Sequence, residues 1–256
     1  MIEFSIENNV GYIVLNRPEV YNSFNRPMAL RMQEILDDFA ANKDVRAIHI
    51  TGNGKAFSAG QDLAEIVDPN GPELRTIIRE HYNPIVQRLR DIRVPVVAAI
   101  NGVAAGAGAN IALACDITIA AETASFIQAF SKIGLIPDSG GTYTLPRIIG
   151  MQKATALMML GEKVSATEAE RIGMIYKVVP YADLAEQSQY LAQKLAHMPT
   201  EGLSLTKQAL NKSYQNTFEQ QLEIEDEMQY AASLTYDYGE GVRAFLEKRK
   251  PVFKGE

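Results

Sequence analysis

The run Pro95-Val96-Val97-Ala98-Ala99-Ile100-Asn101-Gly102-Val103-Ala104-Ala105-Gly106-Ala107-Gly108-Ala109-Asn110 constrains this chain more than any other stretch. Its first six residues form a short, unbroken apolar segment, the pattern of a strand buried on both faces. The next residues carry almost no side chain, and Ile111-Ala112-Leu113-Ala114 continues as a small-residue helix. A strand buried on both faces needs a layer on each side, so the run predicts a layered α/β domain. The start of the helix presents N–H groups without intrahelical partners, at the positive end of the helix dipole. Such a place stabilises an anion. Close helix packing also favours Gly and Ala, and this run alone does not separate the two explanations.

A second run repeats the design. Ile48-His49-Ile50-Thr51 is an apolar strand, and Gly52-Asn53-Gly54-Lys55-Ala56-Phe57-Ser58-Ala59-Gly60-Gln61-Asp62-Leu63 is a loop rich in small residues. Two such loops, from different strands, can aim two N–H donors at one oxygen, which is an oxyanion hole. A third run, Gly134-Leu135-Ile136-Pro137-Asp138-Ser139-Gly140-Gly141-Thr142, sets one short acid on a tight loop that opens a helix. Pro137 fixes φ, and the glycines permit close approaches. Taken alone, Asp138 reads as a solvated helix cap. The two donor loops upstream are what point to chemistry.

Together these runs resemble the enoyl-CoA hydratase/isomerase, or crotonase, family. The resemblance extends from Asn16-Arg17-Pro18-Glu19-Val20-Tyr21-Asn22-Ser23-Phe24 to Glu240-Gly241-Val242-Arg243-Ala244-Phe245-Leu246-Glu247-Lys248-Arg249. Residues 101–109, 130–138 and His81-Tyr82-Asn83-Pro84-Ile85-Val86 are most similar to the branch that isomerises ring-1,2-epoxyphenylacetyl-CoA. The resemblance implies an α/β spiral of ββα units, with the last helices building a trimer and often a hexamer. It assigns the two oxyanion donors to the backbone N–H groups of Gln61 and Ala107. It assigns coenzyme A contacts to Val20, Tyr21, Ala59 and Gly60, with Asp62 and Leu63 completing that loop, and to Lys248 for the adenosine phosphates. Tyr82, Phe130 and Tyr143 are its candidates for the acyl or aryl pocket, with core packing as the alternative for each. No separate cofactor is implied, because coenzyme A is part of the substrate.

One departure decides the expected reaction. Hydration needs a base for water and an acid for carbon, and the family's hydratases supply two glutamates. The matching positions here are Asn110 and Phe130. Neither transfers a proton at neutral pH, although two glutamates restored there would be expected to bring back some hydration. Asn110 then remains as a substrate-side residue. An isomerase needs one acid, which takes a proton from one carbon and returns it to another. The resemblance gives that role to Asp138, and an apolar wall at Phe130 raises the basicity of a carboxylate. Opening of an epoxide to an oxepin and migration of a double bond use the same parts. The competing readings are a hydratase-like enzyme, an acyl-CoA hydrolase, and a non-catalytic acyl-CoA-binding subunit.

Other classes find less support. A chain of 256 residues with formal charge −6 argues against nucleic acid as the main partner. No apolar run has the length of a membrane span. Met1-Ile2-Glu3-Phe4-Ser5-Ile6-Glu7 alternates like a strand, unlike a signal peptide. The lone Cys115 suits a reducing cytoplasm. Gly52-Asn53-Gly54-Lys55 fails as a phosphate loop because His49 stands where glycine is required, and Gly106-Ala107-Gly108 fails as a dinucleotide fingerprint at Ile111. The three histidines and the cysteine show no metal-ligand spacing.

The remaining pattern gives the organisation. Phe4–Glu7 and Tyr12–Leu15 flank residues 8–11 as a hairpin. Asn25 precedes a helix with Met28, Met32, Ile35, Leu36 and Phe39 at helical spacing. Residues 64–72 read as an excursion, and the helix beyond them as bent at Pro84. His49 is expected half-buried and His81 at the surface. Asp116 is expected to be structural, and Lys207–Glu227 to form a mostly solvated face. The chain divides into a core, 1–195, and a C-terminal helical region, 196–256.

Overall fold

The structure is a computed structural model that describes residues 1–256. Its ten strands are β1 (Ile2–Glu7), β2 (Val10–Leu15), β3 (Ala47–Gly52), β4 (Ala56–Ser58), β5 (Val96–Ile100), β6 (Val103–Ala105), β7 (Ile117–Ala121), β8 (Ser125–Ile127), β9 (Lys163–Ser165) and β10 (Lys177–Val179). The first two form the expected hairpin, with a shorter turn. Asn8 and Asn9 adopt φ of 49° and 63°, which a two-residue turn requires and asparagine tolerates. Val10 and Gly11 therefore join the ladder.

Two sheets follow from the strand order. A six-stranded sheet runs β1-β2-β3-β5-β7-β10, and a four-stranded sheet runs β4-β6-β8-β9. The pairs β3/β4, β5/β6 and β7/β8 each give their first strand to the large sheet and their second to the small one. Helices come next: Leu63–Val67 to Asn83–Asp91 after the first pair, Ala107–Ala114 after the second, Gly141–Ile149 and Met151–Leu160 after the third. Each pair with its helices is one turn of a spiral of ββα units. Every residue of β5 is buried, as expected for a strand covered on both faces.

Side-chain chemistry sets the flanking elements. Asn25 caps the helix Arg26–Ala41 by accepting from the Met28 N–H at 3.1 Å. All five apolar residues expected on its inner face are buried, each contributing roughly 1.5–3 kcal/mol. The excursion read over 64–72 begins as a short helix, Leu63–Val67, capped by Asp62. Pro84 sits in the first turn of the helix Asn83–Asp91, where proline is tolerated. A wider π-helical turn, Ile77–Tyr82, precedes it. That turn carries both His81 and Tyr82 inward, each 1% exposed, so the expected surface histidine is a buried one.

The late helices span Leu184–Ala196, Thr200–Ser213, Phe218–Ser233 and Tyr236–Leu246. Lys207 is buried, unlike most of the charged face expected around it. Its ammonium group donates to Leu89 O at 2.8 Å, Val94 O at 3.4 Å and Asp116 Oδ2 at 2.8 Å. Asp116 also accepts from the Val96 N–H at 2.8 Å, so its structural reading holds, and the pair ties helix Thr200–Ser213 to the large sheet. His49 is buried and bonded to Ser188 Oγ at 2.9 Å, with burial pulling its pKa down to about 4. No helix is long and apolar enough to cross a membrane.

Candidate active site

Strands β4, β6 and β8 are parallel neighbours in the small sheet. Their C-terminal ends therefore open on one edge of it. The loops that leave this edge are Ala59–Asp62, Gly106–Ala107 and, beyond Gln128, the segment carrying Asp138. Local chemistry then brings the first two together. Phe24 N–H donates to Gly60 O at 2.7 Å, and Asp62 N–H donates to Phe24 O at 2.8 Å. In such a parallel bridge the intervening residue faces its own N–H the other way, so the Gln61 N–H turns from Phe24. Gly60 has φ of 89°, and a Cβ there would lie 2.8 Å from Ala105 O and 3.2 Å from Ala107 N. Only glycine lets the loop lie this close to the next one.

The second loop shows the close packing that its composition suggests and leaves free N–H groups at the helix start. Gly106, at φ 52°, passes its N–H to Ile127 O at 2.9 Å and turns the chain into helix Ala107–Ala114. The first N–H groups of that helix have no intrahelical partners. Gly108 packs on β4, where a Cβ would sit 2.5 Å from Ser58 O. Small residues thus give close packing at 108 and bring an N–H start beside Gly60 at 107. This geometry suits two N–H donors aimed at one carbonyl oxygen.

Buried polar groups brace the first loop. Ser58 Oγ donates to Asn22 O at 2.9 Å and accepts from the Gly60 N–H at 3.2 Å. Tyr21 O accepts from the Ala59 N–H at 2.9 Å, which joins the Val20–Tyr21 turn to this loop. Arg17 binds Asp62 Oδ2 at 2.9 Å. The Gln61 side chain is held at both ends, accepting from the Tyr82 hydroxyl at 2.8 Å and donating to Glu65 Oε2 at 2.8 Å. Glu65 also accepts from the Arg26 N–H at 2.7 Å. Sequence reading missed this brace. Its partners lie up to 45 residues apart by number, and a buried Ser, Asn or Gln carries no periodic signal.

Asp138 differs from its acidic neighbours. Burial raises its pKa, partly offset by the Ser139 hydroxyl, which donates to Oδ1 at 2.7 Å. Asp62 is paired with Arg17 and caps a helix, and Glu65 is bonded twice. Burial also lifts the Tyr82 pKa well above its ordinary value, with further pushes from the charges of Asp138, Glu65 and Asp62. Tyr82 thus lies within the field of all three acids. Phe130 is buried, and its ring comes within 3.8 Å of the position a Cβ on Gly106 would take. It forms an apolar wall at the turn. Asn110 is committed to the fold, with Nδ2 donating to Asp138 O and Oδ1 accepting from Gln128 Nε2, both at 2.8 Å.

The candidates of the first two loops, with Tyr82, Phe130, Asn110 and Asp138, are linked by these contacts. Tyr21 and Leu63 are exposed at the rim. Two others stand apart. Tyr143 packs edge-on against Tyr214, with ring centroids 5.8 Å apart, and carries the Arg147 guanidinium 3.8 Å above its ring. Lys248 is exposed beyond helix Tyr236–Leu246, with φ of 54° and no ion pair.

The same chain is similar to proteins of known family along its whole length. The family model described as enoyl-CoA hydratase/isomerase matches residues 5–256. A 1,2-epoxyphenylacetyl-CoA isomerase of Escherichia coli is 47% identical, with 100% of both chains covered. A trans-2-decenoyl-[acyl-carrier-protein] isomerase of Streptococcus mutans is 36% identical over 100% of this chain and 98% of its own. The crystal structure of an enoyl-CoA hydratase from Bacillus anthracis superposes with a TM-score of 0.92 at 35% identity, covering 100% of this chain and 99% of that one.

Proposed function

Because the chain belongs to the enoyl-CoA hydratase/isomerase family, we propose that it is an acyl-CoA isomerase whose substrate is ring-1,2-epoxyphenylacetyl-CoA. The observation that carries this reading is the state of the acids. Asp138 and Asp116 are the two acids whose pKa is raised by burial, and only Asp138 lacks a cationic partner, since Asp116 is paired with Lys207, while Asn110 and Phe130 occupy the positions where hydratases carry glutamates. The 47% identity to an isomerase of that name supports the substrate.

In this mechanism the thioester carbonyl accepts from the N–H groups of Gln61 and Ala107. Negative charge on that oxygen is stabilised as the adjacent carbon loses its proton. One such donor is worth about 3–4 kcal/mol in other enzymes. Asp138 accepts the proton and delivers it elsewhere as the epoxide opens to the seven-membered oxepin. The dry wall of Phe130 keeps water from the enolate. The coenzyme A moiety runs along Val20–Tyr21 and Ala59–Leu63, with Lys248 at its phosphates, in the same subunit or from a neighbour. Tyr82 closes the acyl end. Double-bond migration is the second reading, favoured by the 36% identity to a decenoyl isomerase.

We also infer a trimer or a dimer of trimers, located in the cytoplasm, with the helices beyond residue 195 as the assembling region. Phe245 is 84% exposed and Leu234 70%, a burden of apolar surface that an oligomer removes. The decisive experiment offers a panel of acyl-CoAs, the epoxide included, in deuterated water, and follows mass and label. An isomeric product with exchanged deuterium supports the reading. Release of free coenzyme A would instead reveal a hydrolase, and brisk hydration of crotonyl-CoA a hydratase.

A further inference from the structure

Asn110 stands where the family's hydratases carry a proton-transferring glutamate, yet its side chain is turned to another task. Its Nδ2 donates to the backbone carbonyl of Asp138 at 2.8 Å, and that carbonyl also receives the Gly141 N–H at 2.8 Å. A carbonyl only accepts, so the amide orientation of Asn110 is forced, and Oδ1 must face Gln128. Gln128 must then present Nε2, which it does at 2.8 Å. The consequence is a buried Gln128 Oε1 with no partner. Such an atom costs free energy. Turning Gln128 over would set Oε1 against Asn110 Oδ1, so the fold retains the orphan. Asn110 is 2% exposed and Gln128 3%, and Gly141 is so close that a Cβ there would collide with the Asn110 amide.

We infer that Asn110, backed by Gln128, is a positioning residue that holds the Asp138 loop and so aims the carboxyl group. This rests on the reading of Asp138 as the base. The position has exchanged proton transfer for alignment. A carboxylate at 110 cannot donate to the Asp138 carbonyl and would set acceptor against acceptor. A longer side chain there has no room beside Gly141. Asn110→Glu with Phe130→Glu therefore disables the isomerase without installing a hydratase, contrary to what the two family positions suggest on their own.

The test compares Asn110→Asp, nearly isosteric but unable to donate when ionised, with Gln128→Leu and Asp138→Asn. For Asn110→Asp, kcat is expected to fall about tenfold or more through misalignment, with KM changed by less than about twofold because uniform binding is untouched. The acid limb of the pH–kcat profile is read on Gln128→Leu, because the new carboxylate in Asn110→Asp would itself raise the Asp138 pKa. Gln128→Leu should lower kcat in the same direction but less and shift the acid limb downward, since a loosened loop lets water reach Asp138 and lowers the raised pKa, and it keeps the test open if Asn110→Asp does not fold. A purely structural role would lower Tm and leave the acid limb in place. An inactive Asp138→Asn beside a fully active variant at 110 or 128 with an unmoved acid limb would overturn this inference alone. Full turnover by Asp138→Asn would overturn the base reading and this inference with it.

Discussion

The hydroxyl of Tyr82 donates to the side-chain carbonyl of Gln61 at 2.8 Å, so a buried tyrosine holds the residue whose backbone N–H turns away from Phe24 and is the first proposed oxyanion donor. Tyr82→Phe removes that one hydrogen and leaves the ring against Phe24, 6.2 Å away edge-on. The lost bond leaves Gln61 Oε1 without its donor, a change worth about 1–3 kcal/mol. Turnover by the variant should fall roughly fivefold to a hundredfold on that scale. Steady-state kinetics matching the unaltered protein would show that the brace does not reach the hole.

Asp138→Asn separates activity from stability. Isomerisation should drop by at least about a hundredfold, the usual weight of a general base. Stability should rise at neutral pH. The folded pKa of Asp138 is raised by burial above the ordinary 3.8, so the folded state binds its proton more tightly than the unfolded chain does. Keeping this group ionised and buried therefore destabilises the fold as pH climbs from 3.8 through the raised value. The variant should melt higher than the parent at pH 7, and the difference should vanish below 3.8. Calorimetry across that range checks the sign, and a lower Tm at pH 7 would contradict it.

The close approach of the two donor loops predicts a blocked site in two ways. Gly60→Ala sets a Cβ 2.8 Å from Ala105 O in a residue at φ 89°, which combines a clash with left-handed strain. Ala107→Val adds two methyl groups at a buried position beside the hole, with an overpacking cost of about 1–3 kcal/mol. Both proteins should retain their circular dichroism and lose turnover. A thioester-bound crystal with its carbonyl oxygen away from the Gln61 and Ala107 N–H groups would end the assignment.

The exposed apolar side chains of the late helices predict assembly. Sedimentation at micromolar concentration should give a trimer or its double, and Phe245→Glu should weaken it, because the ring is 84% exposed in the single chain. A stable monomer would contradict the prediction.

The parts legible in the sequence were those with a local signature. The apolar run of β5, the capped helix after Asn25 and the small-residue turn at Gly106 each follow from neighbours within a few positions. Strands β4, β6 and β8 did not stand out, because three residues each are too few to give a period to read. The burial of His81 depended on a π-helical turn, and that of Lys207 on carbonyls more than a hundred positions away. Tyr82 could be suspected of lining a pocket, but its bond to Gln61 is a tertiary fact. Asn110 could be recognised as a missing acid. Its bond to the Asp138 carbonyl became visible only when the loops were folded against each other.

The three parallel strands of the small sheet have a consequence for how such a molecule changes over time. Each turn of the spiral delivers one part to the common edge: Gln61 after β4, Ala107 after β6 and Asp138 after β8. On the proposed reading, the first two grip the half of the substrate that every acyl-CoA shares, and the third carries the base, aligned by Asn110 of the second. A mutation confined to the third turn can exchange the chemistry while the grip survives. The scaffold therefore works as an assembly of replaceable cartridges, and a lineage can explore new reactions one loop at a time without first losing its hold on the substrate.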